Sequence, residues 1–189
     1  GDELELVKEK YDPRREKNDA ICINLDCIEA QTGKLLSVGS AQENLSLKVR
    51  YQEGDILYCK LRPYLKKHFK CQEAGVCTSE FLVFRPNHAI DSAFLYQVIS
   101  DPNFTMYNVS ASYGTKMPRT SWSIASKFIL GLPPRDERKK ISALLDTQDK
   151  LLTTNERKLA KLNKLKRGLM AELLTGDTSV APLLNEIAS

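Results

Sequence analysis

The chain has 189 residues, 42% of them hydrophobic and 28% charged, with a formal charge of +4 and a sequence pI near 8.7. That size suits one globular domain plus an extension. No apolar run approaches the roughly 18 residues needed to span a bilayer, which argues against a membrane protein. No signal peptide is expected, and the opening Gly1-Asp2-Glu3, without a Met, reads as a cloning remnant or the start of an excised fragment. The five cysteines, Cys22, Cys27, Cys59, Cys71 and Cys77, are an odd number without a tight C-x-x-C pair. His68 and His88 do not complete a zinc set, so reduced thiols of a cytoplasmic protein are expected.

In chain order, residues 1–19 are highly charged and weakly patterned, a loosely structured lead-in that could pack back on the domain. Residues 20–25 are β-rich, and Thr32-Gly33 reads as a turn before Leu35. Leu45, Leu47, Val49 and Tyr51 alternate with polar residues, the period of a half-buried strand. Glu53-Gly54-Asp55 then turns the chain into a strand at Ile56 to Cys59, with further strands at 75–78 and 80–84. Asp91 is the expected N-cap of a helix with Phe94, Leu95, Val98 and Ile99 inside. Asp101-Pro102 opens a second short helix. Ser110 to Arg119 is polar and carries Gly114 and Pro118, an exposed loop. A last strand is expected at Phe128 to Leu130.

From Pro134 to Gly176 the pattern predicts one very long helix. Ile141, Leu144, Leu145, Leu151, Leu152, Leu159, Leu162, Leu165, Leu169, Leu173 and Leu174 recur at spacings of three and four, which places them on one stripe. Pro133-Pro134 fits the start and Gly176 the end. Asp136 to Leu174 amounts to about 58 Å at 1.5 Å per residue, too long for a domain of this size to cover. The stripe therefore calls for another helix. With Ile141 at heptad position a, the series runs Ile141, Gln148, Asn155, Leu162, Leu169. Its polar members either set register and partner number or lie on the flank. Residues 135–176 hold eleven Lys/Arg against six Asp/Glu, a basic face that either touches DNA backbone or keeps the helix soluble.

The overall class is α+β, a mixed α/β domain over residues 1–132 whose strands do not strictly alternate with helices. The long helix occupies 133–176 and a tail 177–189. Two clusters in the domain are candidates for binding. The first, Lys48 to Lys70, contains Lys48, Arg50, Lys60, Arg62, Lys66, Lys67 and Lys70 against only Glu53 and Asp55, net +5, with Tyr58, Tyr64, His68 and Phe69 interleaved. Such groups attract phosphate, and Arg can also read a guanine edge; a solvated strand-and-turn surface has the same composition. The second, Ser110 to Arg119, combines hydroxyls, Tyr113, Gly114, Lys116 and Arg119, which suits a loop in a DNA groove as well as an ordinary surface loop. No P-loop, metal-ligand set or nucleophile elbow is present. Glu80 beside Ser79 and Thr78 has no histidine near it in sequence, so no catalytic centre is expected.

Several of these stretches together resemble the specificity (S) subunit of type I restriction–modification enzymes. They are Gly54-Asp55-Ile56-Leu57, Arg62-Pro63-Tyr64-Leu65-Lys66, Thr78-Ser79-Glu80-Phe81 through Arg85-Pro86, and Gly114-Thr115-Lys116-Met117-Pro118-Arg119. Ile129 through Ile141, Lys164 through Met170, and Leu173-Leu174-Thr175-Gly176 continue the series in the same order. The resemblance covers most of 54–176, whereas 1–50 matches poorly, as suits a domain whose details vary with the DNA site. It implies a target recognition domain followed by a conserved spacer helix, within an assembly where two such domains read the halves of a split site. It also implies a chain without catalytic residues. S-adenosylmethionine, ATP and Mg would reside on the modification and restriction subunits, and no cofactor on this chain.

The departure from that family's pattern is one unit where two are usual, which reads as either half of a longer subunit or a natural half-length one. The apolar stripe then predicts a homodimer reading a palindromic, interrupted site, with heads separated by about one or two DNA turns of 34 Å. The residues expected to face double-stranded DNA are Lys60, Arg62, Tyr64, Lys66 and Lys67, and Ser112, Tyr113, Gly114, Thr115, Lys116 and Arg119. The expected dimer helix uses Ile141, Leu144, Leu145, Gln148, Leu151, Leu152, Asn155, Leu159, Leu162, Leu165 and Leu169. A coiled-coil protein-interaction adaptor without DNA affinity is the alternative.

Overall fold

A computed structural model describes residues 4–16, 18–87 and 90–175. His88, Gly176 and the tail 177–189 lie outside them. The strands are β1 (Leu4–Leu6), β2 (Lys10–Tyr11), β3 (Ile21–Ile23), β4 (Gly39–Ser40), β5 (Lys48–Tyr51), β6 (Ile56–Cys59), β7 (His68–Lys70), β8 (Gly75–Thr78) and β9 (Phe81–Pro86). The helices are α1 (Ser92–Ser100), α2 (Pro102–Ser110), α3 (Trp122–Ala125) and α4 (Arg135–Leu174). The chain divides into two compact units, Gly1–Ser142 and Ala143–Ser189.

In the first unit a four-stranded antiparallel sheet has the order β1-β9-β6-β7, and a five-stranded sheet the order β2-β5-β8-β3-β4. Among the described residues only β3 and β8 pair in parallel. β6 is buried at every residue, and so are Phe81 to Phe84 of β9. Neither run alternates polar with apolar, because both faces of this sheet are covered. Leu57, Cys59, Phe81 and Val83 face a core shared with Ile23, Tyr51 and Cys77 of the five-stranded sheet. Ile56, Tyr58, Leu82 and Phe84 point the other way, onto Phe94, Leu95 and Ile99 of α1, Phe104 of α2 and Ala125 of α3. The register that sets Ile56 opposite Phe84 and Leu57 opposite Val83 sorts these side chains, since successive residues alternate faces.

The two predicted helix starts are present. Asp91 Oδ1 accepts the Phe94 N–H at 2.8 Å, and Asp101 Oδ1 accepts the Asn103 N–H at 2.6 Å with Pro102 in the first turn. Other expectations are corrected. The lead-in is integral: β1 pairs with β9 and β2 with β5, and Tyr11 is buried with its hydroxyl donating to the Asn18 carbonyl at 2.6 Å. The strand expected from Leu45 starts only at Lys48, since Leu45 and Leu47 are exposed. Phe128 to Leu130 is not a strand. Phe128 packs on the helix-side core while Ile129 is 92% exposed, with no neighbouring strand to receive its N–H.

α4 is one 40-residue helix. Its first turns belong to the globular unit: Ile141 packs on the helix-side core, Ser142 and Arg138 are buried, and Arg138 Nη1–H donates to the Pro133 carbonyl at 2.9 Å. In the second unit Leu144, Leu145, Leu151, Leu152, Leu159, Leu162, Leu165 and Leu169 are all exposed, as are Gln148 and Asn155. Ile141 thus has a partner already, whereas the stripe from Leu144 onward has none within the described residues.

Candidate nucleic-acid interface

The two basic and polar clusters, about fifty residues apart in sequence, share one backbone ladder. Beyond Cys59, the Lys60 N–H donates to the Glu80 carbonyl at 2.9 Å, and the Lys60 carbonyl accepts the Thr120 N–H at 3.0 Å. The Arg62 N–H donates to the Pro118 carbonyl at 2.7 Å, which sets Leu61 opposite Arg119 in an antiparallel bridge. The later loop closes on itself, with Tyr113 and Arg119 exchanging N–H···O bonds of 3.0 and 2.9 Å. Gly114, at φ +87°, supplies the left-handed conformation that begins the tight loop.

Buried polar groups anchor the base of this loop. Thr120 Oγ1–H donates to Asn108 Oδ1 at 2.7 Å, and Asn108 Nδ2–H donates to the Phe104 carbonyl at 2.9 Å. Ser112 is turned toward α2, its hydroxyl donating to the Val109 carbonyl at 2.7 Å. Thr115 and Lys116 at the tip are exposed and make no side-chain hydrogen bond or ion pair to any described residue.

The earlier cluster forms a tight 3₁₀ turn, Pro63–Leu65, bracketed by Arg62 at φ 51° and Lys66 at φ 50°. Non-glycine residues enter the left-handed region infrequently, and here a second segment holds the turn from outside. The Gln31 N–H donates to the Leu65 carbonyl at 2.8 Å and its Nε2–H to the Tyr64 carbonyl at 3.0 Å. Tyr64 is left 45% exposed. Beneath the turn, the Cys59 thiol donates to the Leu61 carbonyl at 3.1 Å, and burial pushes its pKa up to about 11, so it is a neutral structural group. Gln31 carried no signal in the sequence beyond its neighbouring Thr32-Gly33 turn.

The seven cations of the first cluster do not share one surface. Lys48 is buried, its ammonium donating to the Asn44 and Ser46 carbonyls. Arg50 is ion-paired with Glu9 and Glu16 and lies over the Tyr11 ring. Both stand on β5 of the other sheet. Lys67, although near the turn, donates its ammonium to the Leu25 carbonyl. Lys60, Arg62 and Lys66 remain half-buried around the turn, with Lys116 and Arg119 on the adjoining loop. Arg119 Nη2–H donates to Glu80 Oε1 at 3.1 Å.

Among the described residues no group of three His, Cys, Asp or Glu is placed to hold a metal ion, and no helix is long and apolar enough to cross a membrane. All five cysteines are buried and unpaired.

A mixed α/β head carrying a turn-and-loop surface, followed by one long exposed helix, is the fold of type I specificity subunits. The HsdS subunit of Thermoanaerobacter tengcongensis superimposes with a TM-score of 0.69 at 20% identity, covering 88% of this chain and 47% of that one. A structure described as underlying complex assembly and conformational transition of the type I R-M system gives a TM-score of 0.72 at 20% identity, covering 96% of this chain and 51% of that one. In sequence the chain is similar to specificity subunits. The type I restriction enzyme EcoDI specificity subunit of Escherichia coli is 26% identical over 182 residues, 85% of this chain and 40% of its own length. The MjaVIII specificity subunit of Methanocaldococcus jannaschii is 35% identical over 66 residues, 35% of this chain and 16% of its own length. No family model matches. The chain spans less than half the length of these curated relatives.

Proposed function

We propose that this chain is a non-catalytic DNA sequence-recognition subunit of a type I restriction–modification enzyme, acting in the cytoplasm and reading one half of a bipartite site. The observation that carries the reading is the Leu61–Arg119 bridge, which joins two cation-bearing segments into one surface on a specificity-subunit fold. The DNA-facing set is Lys60, Arg62, Tyr64, Lys66 and Lys67 around the turn, with Ser112 to Lys116 and Arg119 on the loop. Lys67 and Ser112 contribute mainly by fixing backbone, since their polar groups are engaged internally.

The exposed stripe from Leu144 to Leu169 pairs with the same helix of a second copy, so that two heads read an interrupted palindrome. Modification subunits dock on this dimer and bring S-adenosylmethionine. A restriction subunit brings ATP and Mg. The test is a gel shift of the complex with its modification subunit, on the bipartite motif found by sequencing modified genomic DNA. Replacing Lys116 and Arg119 together by Ala should lower specific affinity at least tenfold while the thermal unfolding midpoint stays put. Unchanged affinity would remove the loop from the interface, and a genome without a bipartite modified motif would remove the function.

A further inference from the structure

We infer that Arg119 reads a guanine edge, that Glu80 is the positioning residue that aims it, and that Lys116 on the same loop engages phosphate. The inference rests on the DNA-recognition reading above and divides labour within that surface. Arg119 is held at both ends. Its backbone is clamped by Tyr113 and bridged to Leu61, and its guanidinium is tethered to Glu80 Oε1 at 3.1 Å. Glu80 is anchored through its backbone, whose carbonyl receives the Lys60 N–H, and its Oε2 is buried. The carboxylate therefore faces inward and presents Arg119 outward, with that side chain still 45% exposed.

A guanidinium carries five donors in a rigid fork. One is taken by Glu80, and the free edge keeps the parallel pair that matches O6 and N7 of guanine. A carboxylate beside the fork repels a charged phosphate more strongly than a neutral base edge, so the pair is better suited to base readout than to backbone contact. Lys116 is the opposite case. It is exposed at the loop tip with no partner among the described residues, a compact point charge of the kind that contacts phosphate without sequence preference.

The experiment selects bound duplexes from a randomised library with the full chain assembled with its modification subunit, for wild type, Arg119→Lys, Glu80→Gln and Lys116→Ala. Arg119→Lys keeps the charge and removes the fork. It should make one G·C position of the enriched motif degenerate, with discrimination there falling about tenfold or more, at an unchanged salt slope. Glu80→Gln should relax the same position. Lys116→Ala should keep the motif, weaken binding to all sequences alike and reduce the log–log salt slope by about one. A full motif retained by Arg119→Lys would overturn the base-reading role, even if Glu80→Gln fails to fold. A full motif retained by a folded Glu80→Gln would overturn the positioning role. A wild-type complex that enriches no motif overturns the DNA-recognition reading and this inference with it.

Discussion

Asp55 and Arg85 are joined through both carboxylate oxygens, Arg85 Nε–H donating to Oδ1 at 2.9 Å and Nη2–H to Oδ2 at 2.7 Å. The carboxylate is 1% exposed, and Oδ2 also accepts the Gln52 N–H at 2.9 Å, closing the turn that feeds β6. The hydrogen bonds to Asp55 raise the arginine pKa further above its ordinary value. It ties the start of β6 to the end of β9, the two central strands beneath the candidate interface.

Arg85→Met should therefore destabilise the domain by about 2–4 kcal/mol, because it strands a carboxylate that water cannot reach. The lower part of that range applies if water enters beside the half-exposed arginine position. Arg85→Lys, which keeps the charge and loses the two-pronged geometry, should cost less. Urea unfolding measures both, and an unchanged midpoint for Arg85→Met would show that the pair holds nothing.

Gly33 sits at φ +68°, and a Cβ there would lie 2.6 Å from the His68 carbonyl oxygen. Gly33→Ala should cost about 2–3 kcal/mol through backbone strain and the backbone clash. The same turn holds Gln31 against Tyr64 and Leu65, so DNA affinity should fall with it. Thermal unfolding of the variant at or above the wild-type midpoint would contradict the geometry.

His68 is buried between the Lys66 carbonyl, 2.9 Å from Nδ1, and the Ser100 hydroxyl, 2.9 Å from Nε2. Burial lowers its pKa below the ordinary 6.5. The unfolded chain then binds this proton before the native one does, so the contribution is complete above pH 6.5 and is lost as pH falls through that value. The slope attributable to this one group is at most about 1.4 kcal/mol per pH unit. His68→Asn should flatten the pH dependence of the urea midpoint between about pH 7.5 and 5.5 relative to wild type. Parallel curves would assign the slope to other groups.

Asn155 is exposed in the middle of the α4 stripe, between Leu152 and Leu159. If it sets helix register in a dimer, Asn155→Leu should change the oligomeric state or the pattern of engineered cross-links. Leu162→Asp should abolish self-association altogether. Light scattering that finds the same mass for wild type and Leu162→Asp would mean the stripe is covered by something other than a second copy.

Much of the architecture was readable from local chemistry. The Asp91 and Asp101 caps, the turn before β6 and the long helix each rest on interactions between residues a few positions apart, which sequence spacing reports directly. The weak readings were non-local. β1 and β2 read as part of a loosely structured lead-in because strands of two or three residues carry almost no periodicity, and only pairing with β9 and β5 makes them strands. Phe128 to Leu130 had strand-like composition but finds no edge to join. The basic run at 48–70 is divided between two sheets, and charge along a sequence says nothing about which sheet each residue occupies.

Periodicity and length, which are local properties, predict a mixed head and one very long helix with an uncovered apolar stripe, and that helix spans 40 residues. The ordered motifs carry the resemblance to type I specificity subunits. Which cations stand together follows from tertiary packing alone. Lys48 turns onto its own loop carbonyls and Arg50 onto Glu9 and Glu16, while Arg62 meets the chain again at Pro118 and its neighbour Leu61 at Arg119. The cause is physical: a buried ammonium or guanidinium must find acceptors wherever the fold supplies them. Which of them remain on one surface is settled by long-range pairing that no local pattern contains.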